Sequence, residues 1–388
     1  MHENKNESKV LEVVVTARPS WARVKKLVEE YAHLNGTKSI RISLVGPAIS
    51  QRYGDISSQL PNWLEYKTFI ALHESDKLDA IALSALEGAS ALARYWAQSR
   101  PSAVLVIADR TETLGVSVAA SIMQIPLIHL QGGEVSGSID DKIRNANSKL
   151  ADLHLTTNEM TAKNIINLGE ERNNIRIVGC PSVDLVAAVL SNPNRVINSS
   201  SEVIGVGSDF PLDNPYGVIM FHPDTVNENE NEIWVEEICD LVEDSSINWF
   251  WFWPNPDHGT NAISKFLRRR REQNRLKNVK FIINVEPEFF IEIMIRSQIL
   301  IGNSSFGIRE ASFIGLPVLN LGRRQDGRQK AANVTDVDIT RKDQLVSLKN
   351  QISGKRFESS TIYGEGDSGV KCAIVLTQWT PVTKLKKN

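Results

Sequence analysis

The feature that most constrains this chain is an alternation that persists along most of its length. Short apolar runs rich in Val and Ile recur between stretches of helical periodicity. "VLEVVVT" (10–16), "IRISLVG" (40–46), "SAVLVIA" (102–108), "PLIHLQ" (126–131), "LHLTT" (153–157) and "IRIVG" (175–179) read as strands; "LDAIALSALEGASALARYWAQ" (78–98) reads as a helix between two of them. Runs that are apolar on both faces and separated by helices predict a parallel sheet covered on both sides. The pattern fails near 191–214, in "SNPNRVINSSSEVIGVGSDFPLDN", where Ser, Asn, Gly and Pro dominate. It resumes with "YGVIMF" (216–221), "NWFWFW" (248–253), "VKFII" (279–283), "QILIG" (298–302) and "PVLNLG" (317–322).

The expected class is α/β, with two doubly wound halves facing each other and a ligand cleft between them. The expected divisions are an N-terminal domain over 1–195, a linker over 196–214, a second domain over 215–370, and a closing helix with a basic tail over 371–388. With 388 residues, 41% of them hydrophobic, there is material for two cores.

Charge narrows the partners. Forty-four Lys and Arg against 46 Asp and Glu leave a formal charge of −2, no net field to draw nucleic acid or an anionic membrane surface. A small-molecule ligand is the default. The basic run "FLRRRREQNRLK" (266–277) has no interleaved aromatics and reads as the solvated face of a helix. The polar start, with residues 1–8 as a loose tail, carries no apolar signal segment, and no window approaches a membrane span; a cytoplasmic location is expected. The 3 cysteines have no spacing suited to zinc or a disulfide framework.

Polar residues that directly follow a strand mark where a parallel sheet presents its chemistry. In the first half these are Arg18, Asp109 with Arg110, and the "QGGE" turn that leads to Asp140 and Asp141. In the second half they are His222, the "PNPDHG" turn (254–259) and "GNSSFGIRE" (302–310). In the last of these a strand ends at Gly302 and a helix begins near Ser304 and Ser305. Backbone N–H groups and the helix dipole there suit a phosphate or diphosphate, and Glu310, expected on the same helix, suits the hydroxyls of a ribose. A lone Ser at such a place more often caps the helix; two between glycines, with "GRRQDGR" after the next strand, favour phosphate. For Asp109 a helix cap is the alternative to chemistry. For Asp141 and Lys142 the dipole-favoured first turn is preferred, and a lone His222 after a buried strand is more often structural.

Together, "GGEVSGSIDDKIR", "GCPSVD" (179–184), "PNPDHG", "GNSSFGIREASFIGLPVLNLGRRQDGR" and "IYGEGDS" (362–368) resemble the hydrolysing UDP-N-acetylglucosamine 2-epimerase family that opens sialic acid biosynthesis. The resemblance spans nearly the whole chain. It implies a GT-B-like architecture of two Rossmann-like domains, with the closing helix crossing back onto the first. It also implies a cytoplasmic homodimer or homotetramer without cofactor or metal. UDP would be held mainly by the second domain, through Ser304, Ser305, Glu310, Arg324 and Asn255, with Arg18 reaching the phosphates and Arg110 supporting Asp109 or the diphosphate. Asp109, Glu134, Asp140 and His222 carry over as acid–base or charge-stabilising residues.

The chain departs from the family pattern at three places. Ala22 stands where Ser is often found, Gln131 where many members have a catalytic Glu, and Asn145 where His is common. The sugar could equally be a UDP-linked diacetamido-trideoxy sugar of the legionaminic type. Two other readings stay open: a GT-B glycosyltransferase and a catalytically silent UDP-sugar-binding protein. The non-hydrolysing epimerase is disfavoured, since no "HVEAG" turn is present.

Overall fold

In a computed structural model, residues 10–50, 55–70, 73, 77–136, 139–192, 199–223, 230–253, 260–282, 285–337 and 342–380 are described. They form two compact units, one drawn from Met1–Glu134, Ile139–Asp184 and Gly364–Asn388, the other from Val135–Ser138 and Leu185–Tyr363. Each holds a seven-stranded sheet.

The strands of the first unit are β1 (Leu11–Val15), β2 (Ile40–Val45), β3 (Glu65–Phe69), β4 (Ala103–Ile107), β5 (Leu127–Leu130), β6 (Leu153–Thr156) and β7 (Ile175–Ile177). They pair in the order β3-β2-β1-β4-β5-β6-β7, parallel throughout. The helices are α1 (Arg18–Asn35), α2 (Leu78–Gln98), α3 (Thr111–Ile122), α4 (Ile139–Leu150), α5 (Glu159–Asn167) and α6 (Pro181–Leu190), the last straddling the boundary between the units. Strand alternation explains the two layers. Val13, Val15, Leu105 and Ile107 face α1, whereas Val14, Val104 and Val106 face α2 and α3. Each such side chain, taken fully out of water, contributes roughly 1.5–3 kcal/mol. A buried ion pair locks the register of β1 on β2: Arg41 lies 2.6 Å from Glu12, which also accepts from Ser43 Oγ.

The second unit contains β8 (Gly205–Gly207), β9 (Tyr216–Met220), β10 (Asn248–Phe252), β11 (Val279–Ile282), β12 (Leu300–Gly302), β13 (Val318–Leu321) and β14 (Val334–Val337). Their order is β14-β13-β12-β9-β10-β11-β8, parallel except for β8 on β11. Without β8 the sequence of strands is 3-2-1-4-5-6, the same as in the first six strands of the other unit, so both are Rossmann-like. Its helices are α7 (Asn231–Glu243), α8 (Thr260–Glu272), α9 (Pro287–Arg296), α10 (Ser305–Ile308), α11 (Glu310–Ile314) and α12 (Lys342–Ile352). The "WFWFW" run is a central strand, with Trp249 and Trp251 on one face and Phe250 and Phe252 on the other, as its composition leads one to expect. The basic run on α8 is only partly a solvated face: Arg270 is buried against Glu236 and Asp240 of α7.

The last helix, α13 (Ser368–Gln378), belongs to the first unit and packs on α1, burying Cys372, Ala373 and Leu376 in the core under β1. Asp184 clips its start, accepting from the amides of Ser368 (2.9 Å) and Gly369 (2.6 Å), while Ser368 Oγ donates to the Gly179 carbonyl. The "GCPSVD" and "YGEGDS" stretches are therefore two halves of one structural clip. Burial pushes the Asp184 carboxyl up to about 6, against the opposing pull of the two amides.

Candidate active site

Polar residues collect at the carboxyl ends of the central strands of each unit. In the first, β4 is followed by Ala108 at φ 56° and β5 by Gln131 at φ 64°. Two L-residues in the left-handed region at neighbouring strand ends are strained, by about 1–2 kcal/mol each, and need support. The Ala108 carbonyl receives it from His129 Nε2 at 2.8 Å and Asn147 Nδ2 at 3.3 Å, and Asn147 also donates to Thr113 Oγ1. His129 is wholly buried, and burial lowers it from its ordinary 6.5 to about 4. At neutral pH it is the uncharged tautomer, with Nε2–H directed at that carbonyl and Nδ1 toward Ser148 Oγ.

The strained ends aim Asp109 and the "QGGE" turn. Gly133 has φ 79°, and a Cβ there would lie 2.2 Å from the Thr161 carbonyl oxygen, so only glycine turns the chain this closely. Gln131 is 2% exposed; its Nε2 donates to Cys180 Sγ at 3.2 Å and its Oε1 is buried without a hydrogen bond. Glu134 follows, buried, with Oε1 accepting from Thr157 Oγ1 at 3.1 Å.

Arg144 of α4 organises this group, and sequence reasoning missed it. Its guanidinium is buried and bonds to the Asp109 carboxylate, to Asp141 Oδ1 at 2.5 Å and to the Glu134 carbonyl at 2.7 Å. The available signal was spacing: Asp141 and Arg144 lie three apart on one helix. Asp109 is not the cap of α3. That position is held by Arg110, without a side-chain cap bond, while the Asp109 side chain is engaged by Arg144. Arg110, expected beside Asp109 or the diphosphate, pairs with Glu112 at 3.1 Å. Asp140 is on the first turn of α4 and Asn145 on the same helix, both half-buried; Arg18 opens α1 and is also half-buried.

In the second unit the switch point lies between β9 and β12, and Asn303 bridges it. Its Oδ1 accepts from the His222 amide and its Nδ2 donates to the His222 carbonyl, both at 2.8 Å, while Gln325 Nε2 holds its own carbonyl. Gly302 allows the approach, since a Cβ there would lie 2.0 Å from the Met220 carbonyl oxygen. Ser304 caps α10, accepting from the Phe306 amide, and Ser305 accepts from Arg309 at 2.9 Å. The single helix expected through Glu310 is broken at Arg309: α10 ends at Ile308 and Glu310 opens α11. Glu310 is buried with Oε2 lacking a hydrogen bond, 3.6 Å from Arg309 Nε. Arg324 is half-buried after β13, and Asn255 with the rest of "PNPDHG" lies outside the described residues. No cluster of metal-ligating side chains occurs among the described residues.

Burial, with Arg324 as a second cause, lowers His222 from 6.5 to about 3. An unfolded chain takes up a proton as pH falls through 6.5 and the folded one does not, so stability drops on acidification by up to about 1.4 kcal/mol per pH unit for this group. His129 acts in the same sense down to about 4. Asp184 acts oppositely, because the folded form keeps a proton between 3.8 and about 6 that the unfolded form releases. The fall in melting temperature from pH 7 to 4.5 should therefore be smaller for His222→Gln than for the unaltered protein. Equal falls would show that His222 is not the group responsible.

Two Rossmann-like units, with carboxylates at strand ends in one and a capped, Ser-rich turn with a buried Glu in the other, give the chain a GT-B-like architecture. The chain belongs to the UDP-N-acetylglucosamine 2-epimerase family, whose model matches residues 35–377. It is 29% identical over 272 residues to the UDP-N,N'-diacetylbacillosamine 2-epimerase (hydrolyzing) of Legionella pneumophila, covering 70% of each chain. It is 29% identical over 279 residues to the UDP-N-acetylglucosamine 2-epimerase of Neisseria meningitidis serogroup B, covering 71% of this chain and 70% of that one. Among solved structures, UDP-GlcNAc 2-epimerase from Neisseria meningitidis bound to UDP-GlcNAc shares the fold with a TM-score of 0.75 at 17% identity, over 95% of this chain and 99% of that one.

Proposed function

We propose that the chain is a hydrolysing UDP-sugar 2-epimerase. It removes the proton on C2 of UDP-N-acetylglucosamine and expels UDP from C1, giving 2-acetamidoglucal; water then adds to yield N-acetylmannosamine. The observation that carries this reading is that Asp109 and Glu134, from two strand ends, meet at Arg144, with Asp140 on the first turn of the same helix. The C2 proton has no adjacent carbonyl to acidify it, so departure of UDP must first build positive charge at C1. Carboxylates beside C1 and C2 serve both the charge and the proton. Asp109, Glu134 and Asp140 take these roles. His222, uncharged at neutral pH, contributes hydrogen bonding or proton acceptance rather than a cation. Ser304, Ser305, Arg324, Arg18, Arg110 and Asn255 hold the diphosphate side, and Glu310 the ribose.

A second reading, the same reaction on a UDP-linked diacetamido-trideoxy sugar, is favoured by the name of the Legionella relative. Incubation with each UDP-sugar and NMR of the products decides. Free UDP with a free manno-configured sugar is the expected result, and a UDP-linked epimer as end product would overturn the hydrolysing assignment.

Gln131 distinguishes the chain within this reading. An amide neither accepts a proton nor balances positive charge as a carboxylate does, so the turn binds and shapes while the other carboxylates do the proton chemistry. Gln131→Glu is expected to change turnover by at least about tenfold, the equivalent of about 1.4 kcal/mol in the barrier. Equal rates would place Gln131 outside the reacting centre.

A further inference from the structure

Arg144 touches three different parts of the first unit: the end of β4 at Asp109, the "QGGE" turn at the Glu134 carbonyl, and its own helix at Asp141. Its guanidinium is 1% exposed, whereas the Asp109 carboxylate is 27% exposed, so one face of Asp109 is anchored from behind while the group keeps access to solvent. We propose that Arg144 is a positioning residue that fixes the orientation of Asp109 and holds it as a carboxylate. This rests on the proposed reaction at Asp109. Arg144 itself is too deeply buried to meet a sugar, and it acts through the group it holds.

The charged and titratable groups around Asp109 favour this account. They are Arg144, Asp140 and Asp141 on α4, Glu134 on the turn, Arg110 and Glu112 at the start of α3, and buried His129 on β5. His129 is neutral at pH 7, and Arg110 is paired with Glu112 at 3.1 Å. Arg144 is a cation bonded to Asp109, and its charge also faces Glu134 and Asp141. A guanidinium in that place favours the ionised form, and its planar fork divides the work: Nη2 holds Asp109 Oδ2 while Nη1 is tied to Asp141 and the Glu134 carbonyl, which fixes where the Asp109 oxygen is held. Asp109 then works as base and as counter-charge to C1, and it does not work as a proton donor. A lysine preserves the charge but not the fork.

The test compares the unaltered protein with Arg144→Lys and Asp141→Asn. In Arg144→Lys, kcat/KM at pH 7 should fall about tenfold or more, mostly in kcat, and the acid limb of its pH profile should move up by about one unit. Asp141→Asn leaves the guanidinium to Asp109 and should move that limb down; it serves if Arg144→Lys does not fold. Independently of turnover, the ionisation of Asp109 is read by titrating protein carrying 13C-labelled aspartate carboxyls, with Asp109→Asn to assign the resonance. The same two shifts are expected there. Unmoved profiles and an unmoved resonance in the folded variants would reduce Arg144 to a structural residue. An unaltered protein without activity, but with the resonance shifts present, would sink the proposed reaction and leave the control of Asp109 by Arg144 standing.

Discussion

Asp109→Asn is expected to abolish release of the sugar, lowering kcat/KM by about 100- to 10,000-fold, the span of a positioned acid–base group. Asparagine keeps the shape but removes the charge, so the Arg144 guanidinium that now holds a carboxylate is left with a neutral amide oxygen. Both the proton acceptor and the counter-charge to C1 vanish in one substitution. UDP affinity, measured by calorimetry, should stay within about threefold, because the nucleotide is assigned mainly to the second unit and Asp109 is given no contact with it. Full turnover in a folded Asp109→Asn protein would show that the Asp109–Arg144 pair is structural only.

The second large effect is on binding. Glu310→Ala should weaken UDP by about 10- to 150-fold, since charge-assisted bonds to ribose hydroxyls contribute roughly 1.5–3 kcal/mol. Stability should respond differently. In the free protein Oε2 is buried without a hydrogen bond and lies 3.6 Å from Arg309, so truncation removes an unsatisfied acceptor as well as a weak ion pair. Loss of affinity with little change in melting temperature is the expected combination. Unchanged affinity would remove Glu310 from the ribose.

The central strands were legible in the sequence because each is apolar on both faces and can go nowhere but between two helical layers. The strands that escaped are all at sheet edges. β3 is "EYKTF" with four of its five residues exposed, β8 is "GVG", and β14 is "VTDV". An edge strand buries little, so its residues carry no strong alternation. At the site, strand-end position marked Asp109, Glu134, Ser304 and Glu310 without any knowledge of packing. Arg144 was invisible for the opposite reason: on a polar helix it looks like any surface cation, and its partner Asp109 lies 35 residues earlier on another element. The break at Arg309 had only a weak signal: "SSFGIREAS" holds no proline, and its one helix-weakening residue, Gly307, lies two positions before the break.

The clip at Asp184 has a consequence for synthesis. The second unit is nearly continuous in the chain, whereas α13, which completes the layer over α1, is made after all of it. Between Asp184 and Ser368 lie about 180 residues, which a ribosome takes roughly 10–35 s to add. For that interval the apolar stripe of α1 that receives Cys372, Ala373 and Leu376 has no helix to cover it. That face of the first unit closes only when the stretch around residue 376 docks, so the first unit reaches its full core after the second has been made.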